Sequence, residues 1–379
     1  MRSSSSTGTT VLRVKRSLGH VLVLVITVAV LFAAGEMVMR VLYPMPEFSG
    51  RLWRREWNED YHTSVFIPGT EVIYAGVPMK VNSLGLRNRE IEDIKGGDVT
   101  RILVFGDSFT FGDGLRTGDT IPSLLEVLLN RDANDARQYE VINFGVPGMN
   151  TFQEVMYALN YGLRFDPDGI ILVWVYNDIE LNGYSLEDFS YFVEHRTVPT
   201  AGVGEGGAIP RRETGGDGGG KHGFTVRLWR VYEGVRNQSR FIAFLGARSK
   251  ELLQRLGVSM KMSEKIIYSD LDSEGFKLSL GTLDFINREL RGRDIEFHAV
   301  LYPPLQRLND DYYDRLIMRK VEDFCVTSGI RYLNLFDSFR GQDPNELHVT
   351  KMDYHSNRRA NEIASKAVAD YLRRASKLF

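Results

Sequence analysis

Residues 170–175 read Ile-Ile-Leu-Val-Trp-Val, an apolar run with no polar alternation. A strand with one wet face alternates in hydropathy. A strand covered on both faces does not, and such strands belong to parallel sheets. Four more short runs, at 102–105, 139–144, 296–302 and 331–335, also read as strands. Helical periodicity lies between them. Ile121, Leu124, Leu125, Leu128 and Leu129 recur at helix spacing, with Pro122 suited to a first turn. Thr151 and Glu154 form a capping-box pattern that opens a helix through residue 159. Helices are also expected at 278–290, at 313–326 and from about Arg358 onward. Strands alternating with helices predict an α/β fold. The expected architecture is a three-layer α/β/α arrangement, with a flavodoxin-like parallel five-stranded sheet.

The N-terminus follows a different rule. Residues 18–35 are almost wholly apolar and approach the length needed to cross a bilayer. Arg2, Arg13, Lys15 and Arg16 precede them, whereas Glu36 and Arg40 follow. Positive charge on the N-terminal side puts residues 1–17 in the cytoplasm and the remainder outside it. The expected location is the cytoplasmic (inner) membrane, as a single-pass protein with the main domain periplasmic or extracellular. Ala33-Ala34-Gly35 would also suit a cleavage site, but the run exceeds the ~7–15 residues of a signal core. An uncleaved transmembrane anchor at 18–35 is therefore the preferred reading. A helix buried in a soluble protein is the weaker alternative, because apolar residues occupy all of its faces.

Residues 36–100 read as a connecting region. Within it Val81-Asn82-Ser83-Leu84-Gly85-Leu86-Arg87 looks like a strand end and a turn. The main domain is expected at 101–379, with an insertion at about 176–293. A Gly-dense stretch at 201–223 inside that insertion reads as a flexible loop. Residues 226–256 read as helical, and the insertion could serve as a lid or as a plain surface excursion.

Composition excludes several functions. Lys and Arg total 47 against 49 Asp and Glu, so no basic field argues for nucleic acid. The only cysteine is Cys325, which precludes an intrachain disulfide and reads as a small buried apolar residue. With one Cys and seven scattered His, no zinc spacing appears. No metal and no cofactor are expected.

The chemistry sits at the ends of the apolar runs. Gly106-Asp107-Ser108 follows the first, and 143–150, Asn-Phe-Gly-Val-Pro-Gly-Met-Asn, follows the second. Tyr176-Asn177-Asp178 follows the third. Asp353-Tyr354-His355 follows the fifth and precedes the last helix. In an open parallel sheet, ligands bind beyond the carboxyl ends of the strands. Ser108, Gly148, Asn177, Asp353 and His355 therefore converge on one rim. A serine, a histidine and an acid make a nucleophile, its base and the orienter of the base. An i, i+2 spacing cannot place Asp353 and His355 on one helical face, but an extended segment can. His348 is the lesser candidate for the base. His298, inside an apolar run, reads as a satisfied interior residue.

These four blocks, in this order, closely resemble the SGNH, or GDSL-type, family of esterases and acyltransferases. The resemblance covers roughly 81–369 apart from the insertion. It implies a catalytic triad of Ser108, His355 and Asp353. It also implies an oxyanion hole formed by the Ser108 and Gly148 backbone N–H groups and the Asn177 side-chain amide. Asn-x-x-Gly-Leu-Arg segments like 82–87 precede the serine block in membrane-anchored members. Two features depart from the commonest pattern. Asp-x-His replaces Asp-x-x-His, which bears on the role of Asp353. Val-Tyr-Asn-Asp replaces Gly-x-Asn-Asp, which bears on pocket shape. The resemblance implies hydrolysis of O-acyl esters, with an acylated carbohydrate or another ester as substrate. The alternative is O-acetyl transfer onto a polysaccharide beside a multispanning membrane partner. A non-catalytic envelope-binding module is the third reading.

Overall fold

A computed structural model of the chain describes residues 6–42, 55–58, 63–74, 77–92, 94–131, 137–182, 184–195, 241, 272–306, 308, 314–350 and 353–379. The chain divides into two compact units. One comprises 1–45 with 216–262, and the other 46–215 with 263–379.

In the first unit the described residues are helix α1 (Ser6–Leu42) and Phe241. The helix runs through the apolar stretch and past it. Glu36 accepts from Arg40 Nε and from the Phe241 backbone N–H, each at 3.0 Å. The Phe241 ring meets Phe32 edge-on at 5.6 Å. Among the described residues no helix is long and apolar enough to cross a membrane. The span expected at 18–35 therefore gains no support here: those residues are one part of a longer helix that continues through Glu36 and Arg40. The expected loop at 201–223 lies outside the described residues, as does the expected helix at 226–256 apart from Phe241.

The second unit opens with two antiparallel hairpins. One joins β1 (Arg55–Asn58) to β2 (Thr63–Phe66), the other β3 (Glu71–Tyr74) to β4 (Val77–Lys80). The five apolar runs then form one sheet of β5 (Val99–Gly106), β6 (Gln138–Asn143), β7 (Gly169–Trp174), β8 (Glu296–Leu301) and β9 (Arg331–Asn334). All neighbours are parallel, in the order β6-β5-β7-β8-β9. This is the flavodoxin-like order that the alternating pattern predicts.

The central strands β5 and β7 are buried on both faces. Leu103 and Phe105 of β5 and Ile170, Leu172 and Trp174 of β7 share one cluster. That cluster also takes in α4 (Thr151–Asn160), α6 (Glu274–Arg291) and α7 (Asp314–Thr327), the last carrying the buried Cys325. Ile102, Val104, Ile171 and Val173 point the other way. They meet α3 (Ile121–Arg131) and α9 (Arg358–Ala375). Between these lie α5 (Leu186–His195) and the short α8 (Phe336–Phe339). A last hairpin of β10 (His348–Thr350) and β11 (Asp353–Ser356) leads into α9.

One local expectation changes. The capping box of α4 uses Asn150 and Gln153, one residue before the expected Thr151 and Glu154. Asn150 Oδ1 accepts from the Gln153 N–H at 2.9 Å, and Gln153 Oε1 accepts from the Asn150 N–H at 3.2 Å. An asparagine caps at least as well as a threonine, and the shift turns Glu154 inward. Helix α6, which contains the stretch expected to be helical at 278–290, packs against the sheet with Phe276, Leu283, Phe285 and Leu290 in the core. His298 is an interior residue as expected, with ring nitrogens 3.0 Å from the Tyr371 hydroxyl and 3.2 Å from Glu296.

Candidate active site

Strand order reverses beside β5, because β6 lies to one side of it and β7 to the other. Crevices beyond such a switch point are where open α/β sheets hold ligands. Ser108 follows β5 and Asn177 follows β7, so both stand at this crevice.

The backbone around Ser108 is tightly constrained. A Cβ on Gly106 would lie 2.1 Å from Thr110 Oγ1, so no larger residue fits between β5 and the turn. The chain then bends into helix α2 (Ser108–Phe111). Asp107 caps it, accepting the Phe109 N–H at 2.9 Å. Ser108 is 8% exposed.

Ser108 Oγ lies 2.9 Å from His355 Nε2. Across the ring, His355 Nδ1 lies 2.6 Å from Asp353 Oδ1. The same oxygen accepts the His355 backbone N–H at 3.1 Å. An ionised carboxylate only accepts, so Nδ1 carries the ring proton and leaves Nε2 bare toward the serine. The i, i+2 spacing works because β11 is extended, which points both side chains to one face. The Asp353 N–H donates to Thr350 Oγ1 at 3.0 Å, which ties the acid to its hairpin. The Phe109 ring packs against the imidazole at 5.3 Å.

Electrostatics suit this arrangement. Burial alone would lower the His355 pKa, but the hydrogen bond that its ring donates to Asp353 and the charges of Asp113, Asp353 and Asp107 outweigh it, so the pKa is raised. Asp353 shows the converse. Burial opposes its ionisation, yet His355 and the backbone N–H hold its pKa below the ordinary value.

Asn177 lies in a 3₁₀ turn, Tyr176–Ile179. Its amide donates to Asp107 Oδ2 at 2.8 Å. Ser108 Oγ is 3.3 Å from that oxygen, so Asp107 links the serine block to the asparagine block. Gly148 occupies the turn beyond β6 with φ +77°. Its carbonyl accepts from Asn182 Nδ2 at 2.9 Å, which ties it to the segment after β7 rather than to Ser108. Ser108, His355, Asp353 and Asn177 thus form one bonded group, and Gly148 stands apart on the same rim. His348, the lesser candidate for the base, packs on Tyr354 instead.

The residues to which the sequence reading gave no part in the site are acids. Asp107 is fully buried, and burial raises its pKa despite the Asn177 and Phe109 donors. Its helix-capping position is the signal that could have marked it. Asp113 Oδ2 lies 3.9 Å from His355 Nε2. Asp178 and Glu154 are buried beneath the rim. Asp178 accepts the Val175 N–H at 3.1 Å, while both Glu154 oxygens lack a hydrogen-bond partner among the described residues. Burial, and then neighbouring carboxylate charge, raises both pKa values well above the usual range. A cavity of about 470 Å³ lies elsewhere, lined by Asp168 and Ile295 at the amino ends of β7 and β8. In a parallel sheet that is the edge opposite Ser108, so it is not the site of this chemistry.

No family model matches the chain, and no curated protein does. Solved structures similar to it include a lipolytic protein of the G-D-S-L family from Desulfitobacterium hafniense, at 10% identity and TM-score 0.38, covering 72% of this chain and 99% of that one. A psychrotrophic esterase from Pseudoalteromonas sp. has 10% identity and TM-score 0.39, covering 73% and 97%. A lipase/acylhydrolase from Enterococcus faecalis has 11% identity and TM-score 0.39, covering 72% and 95%. What this chain is similar to, in these cases, are lipases and esterases, one of them of the G-D-S-L family.

Proposed function

We propose that this protein is an SGNH/GDSL-type serine esterase that hydrolyses O-acyl esters, acetyl esters foremost. The observation that carries the reading is the continuous contact from Ser108 Oγ to His355 Nε2 at 2.9 Å and from His355 Nδ1 to Asp353 at 2.6 Å. In the first step Ser108 Oγ attacks the ester carbonyl and its proton passes to His355 Nε2. The carbonyl π electrons move onto oxygen. The Ser108 N–H, the Gly148 N–H and the Asn177 amide are the proposed donors to that oxyanion. Asn177 has two amide protons, so one can hold Asp107 while the other faces the site. Collapse breaks the ester C–O bond, and His355 returns its proton to the departing alcohol. Water then attacks the acyl-serine, gives a proton to His355 and releases the acid. Ser108 recovers its proton.

The same acyl-serine could pass its group to a sugar hydroxyl, so the acceptor alone separates esterase from O-acetyltransferase. A transferase working with a multispanning membrane partner remains the alternative reading. Location outside the cytoplasm rests on the charge asymmetry around 18–35, and protease accessibility on intact cells tests it.

The deciding experiment is turnover of p-nitrophenyl acetate by the purified chain and by Ser108→Ala, with and without acetylated and unacetylated glycans. Serine-dependent acetate release supports the esterase. Acetyl groups appearing on sugar support the transferase. Equal turnover by Ser108→Ala removes the mechanism.

A further inference from the structure

The segment 82–87 has no place in the triad, yet it is built with unusual care. Asn82 Oδ1 accepts the N–H groups of Leu84 and Leu86, at 3.0 and 2.9 Å. Asn82 Nδ2 donates to the Arg89 carbonyl at 2.9 Å. Gly85 takes φ +78°, a left-handed conformation that favours glycine. This turn delivers Arg87, whose side chain is almost completely buried. Its guanidinium donates to the Phe111 carbonyl at 2.9 Å, the Gly112 carbonyl at 2.6 Å, and the Leu115 carbonyl. A planar fork with five N–H groups suits such a cluster of carbonyls, and an ammonium does not.

Those carbonyls bracket Asp113. The Gly112 and Asp113 N–H groups both donate to the Ser108 carbonyl, at 2.9 and 3.1 Å. A Cβ on Gly114 would lie 2.6 Å from Val349 Cγ1, so the far side of the turn is confined as well. Asp113 is therefore held in place by main-chain bonds on one side and by Arg87 on the other. Its Oδ2 stands 3.9 Å from His355 Nε2, the nitrogen that faces the nucleophile. Asp353 occupies the opposite nitrogen.

We propose that Asp113 is a second carboxylate for the base, a positioning residue that stabilises the imidazolium at the nitrogen receiving the Ser108 proton, and that Arg87 holds the turn which aims it. The proposal rests on the triad reading given above. Proton transfer from Ser108 leaves positive charge on a ring between two acids, one at each nitrogen. At the stage when Nε2 carries the proton, Asp113 Oδ2 stands 3.9 Å away, close enough for charge stabilisation though not for a hydrogen bond. The ionisable groups around this ring are Asp353 and His348 from the hairpin β10–β11, and Asp107 and Asp113 from the two ends of α2. Asp353 and Asp107 have hydrogen-bond duties that place them, to His355 Nδ1 and to Asn177 and Phe109. Asp113 stands on the turn that Arg87 and the Ser108 carbonyl hold.

Asp113→Asn keeps the shape and removes the charge. The test reads the His355 imidazole by NMR titration in the full chain, together with the pH profile of kcat/KM for p-nitrophenyl acetate. The expected result is a lower His355 pKa by about one unit, matched by an acidic limb displaced to lower pH. A fall of about tenfold in the plateau rate should accompany it, since one unit corresponds to a factor of ten. Asp113→Glu should restore part of both shifts, which a merely structural role would not do. Asp113→Ser carries the same test if Asp113→Asn does not fold. An unchanged His355 titration in a folded neutral variant overturns the proposal. The NMR measurement needs no turnover. Failure of the esterase reading, seen as no Ser108-dependent hydrolysis by the unsubstituted protein, is therefore a separate outcome.

Discussion

His355 Nε2 lies 2.9 Å from Ser108 Oγ, although 247 positions separate the two residues in the chain. Ser108 stands on the first turn after β5, and His355 on the hairpin strand before the final helix. The contact exists because a parallel sheet brings the carboxyl ends of its strands to one edge. Removing either partner should abolish turnover without unfolding the protein. Ser108→Ala and His355→Ala are each expected to lose about 10⁴-fold or more in kcat, with melting temperatures close to that of the unsubstituted chain. Steady-state kinetics beside thermal melts check this.

The proposed mechanism sets a pH dependence. In it His355 must be neutral to accept the serine proton, and its pKa is raised above the ordinary histidine value. The rate kcat/KM should therefore fall as pH drops, through an apparent pKa above ~6.5. Asp353→Asn removes the acceptor that fixes the ring tautomer and should lower kcat by roughly 10²–10⁴-fold. A limb well below pH 6 in the unsubstituted protein would contradict this account.

Asn177 is the expected oxyanion donor from a side chain. Asn177→Ala should lower kcat by about 10²–10³-fold while KM changes little, because the donor matters most once charge develops on the substrate oxygen. Asn177→Asp should be worse in both rate and stability, since it sets a carboxylate where the amide now donates to Asp107 at 2.8 Å. Comparing kcat, KM and melting temperature for the two variants decides it.

Glu154 offers a prediction about stability. Burial, and then the charges of Asp178 and Asp107, raise its pKa in the folded protein. A raised folded-state pKa contributes most below the unfolded carboxyl range of ~4.3. That contribution is lost as pH rises toward the folded value. Glu154→Gln keeps the shape and cannot ionise. Its melting temperature should exceed that of the parent at pH 8 by about 2–4 °C and match it more closely near pH 5. Melting curves across that range give the answer, and an equal difference at both ends would refute it.

Arg87 should matter for stability more than its distance in sequence from Ser108 suggests. Its guanidinium serves three buried carbonyls. Arg87→Ala strands them, at about 1–3 kcal/mol for each unpaired buried group. A marked drop in the denaturation midpoint is expected, together with loss of esterase activity as the 111–115 turn relaxes. Arg87→Lys should recover only part of either.

Much of this protein is legible in order along the chain. The apolar run at 170–175, which double burial leaves no reason to alternate, and the succession of strands and helices around it predict the parallel sheet. The positions of Ser108, Asn177, Asp353 and His355 at run ends predict a shared rim. Local signals were less exact. The α4 cap moved by one residue to Asn150, since Asn and Thr compete as caps and only packing decides which N–H groups need an acceptor. That shift matters, because it sends Glu154 into the interior instead of to the helix end.

What sequence alone determined was the succession of buried strands and the residue types set at their ends, because burial and turn chemistry act on near neighbours. Tertiary structure decided how those ends interact. It placed Asp113 3.9 Å from His355 Nε2 and joined Asn177 to Ser108 through Asp107. It also brought Arg87 onto the carbonyls of the turn after Ser108. Each of these is a long-range contact or a charge at a few ångströms. Its strength depends on distance and burial, which no local pattern in a sequence encodes.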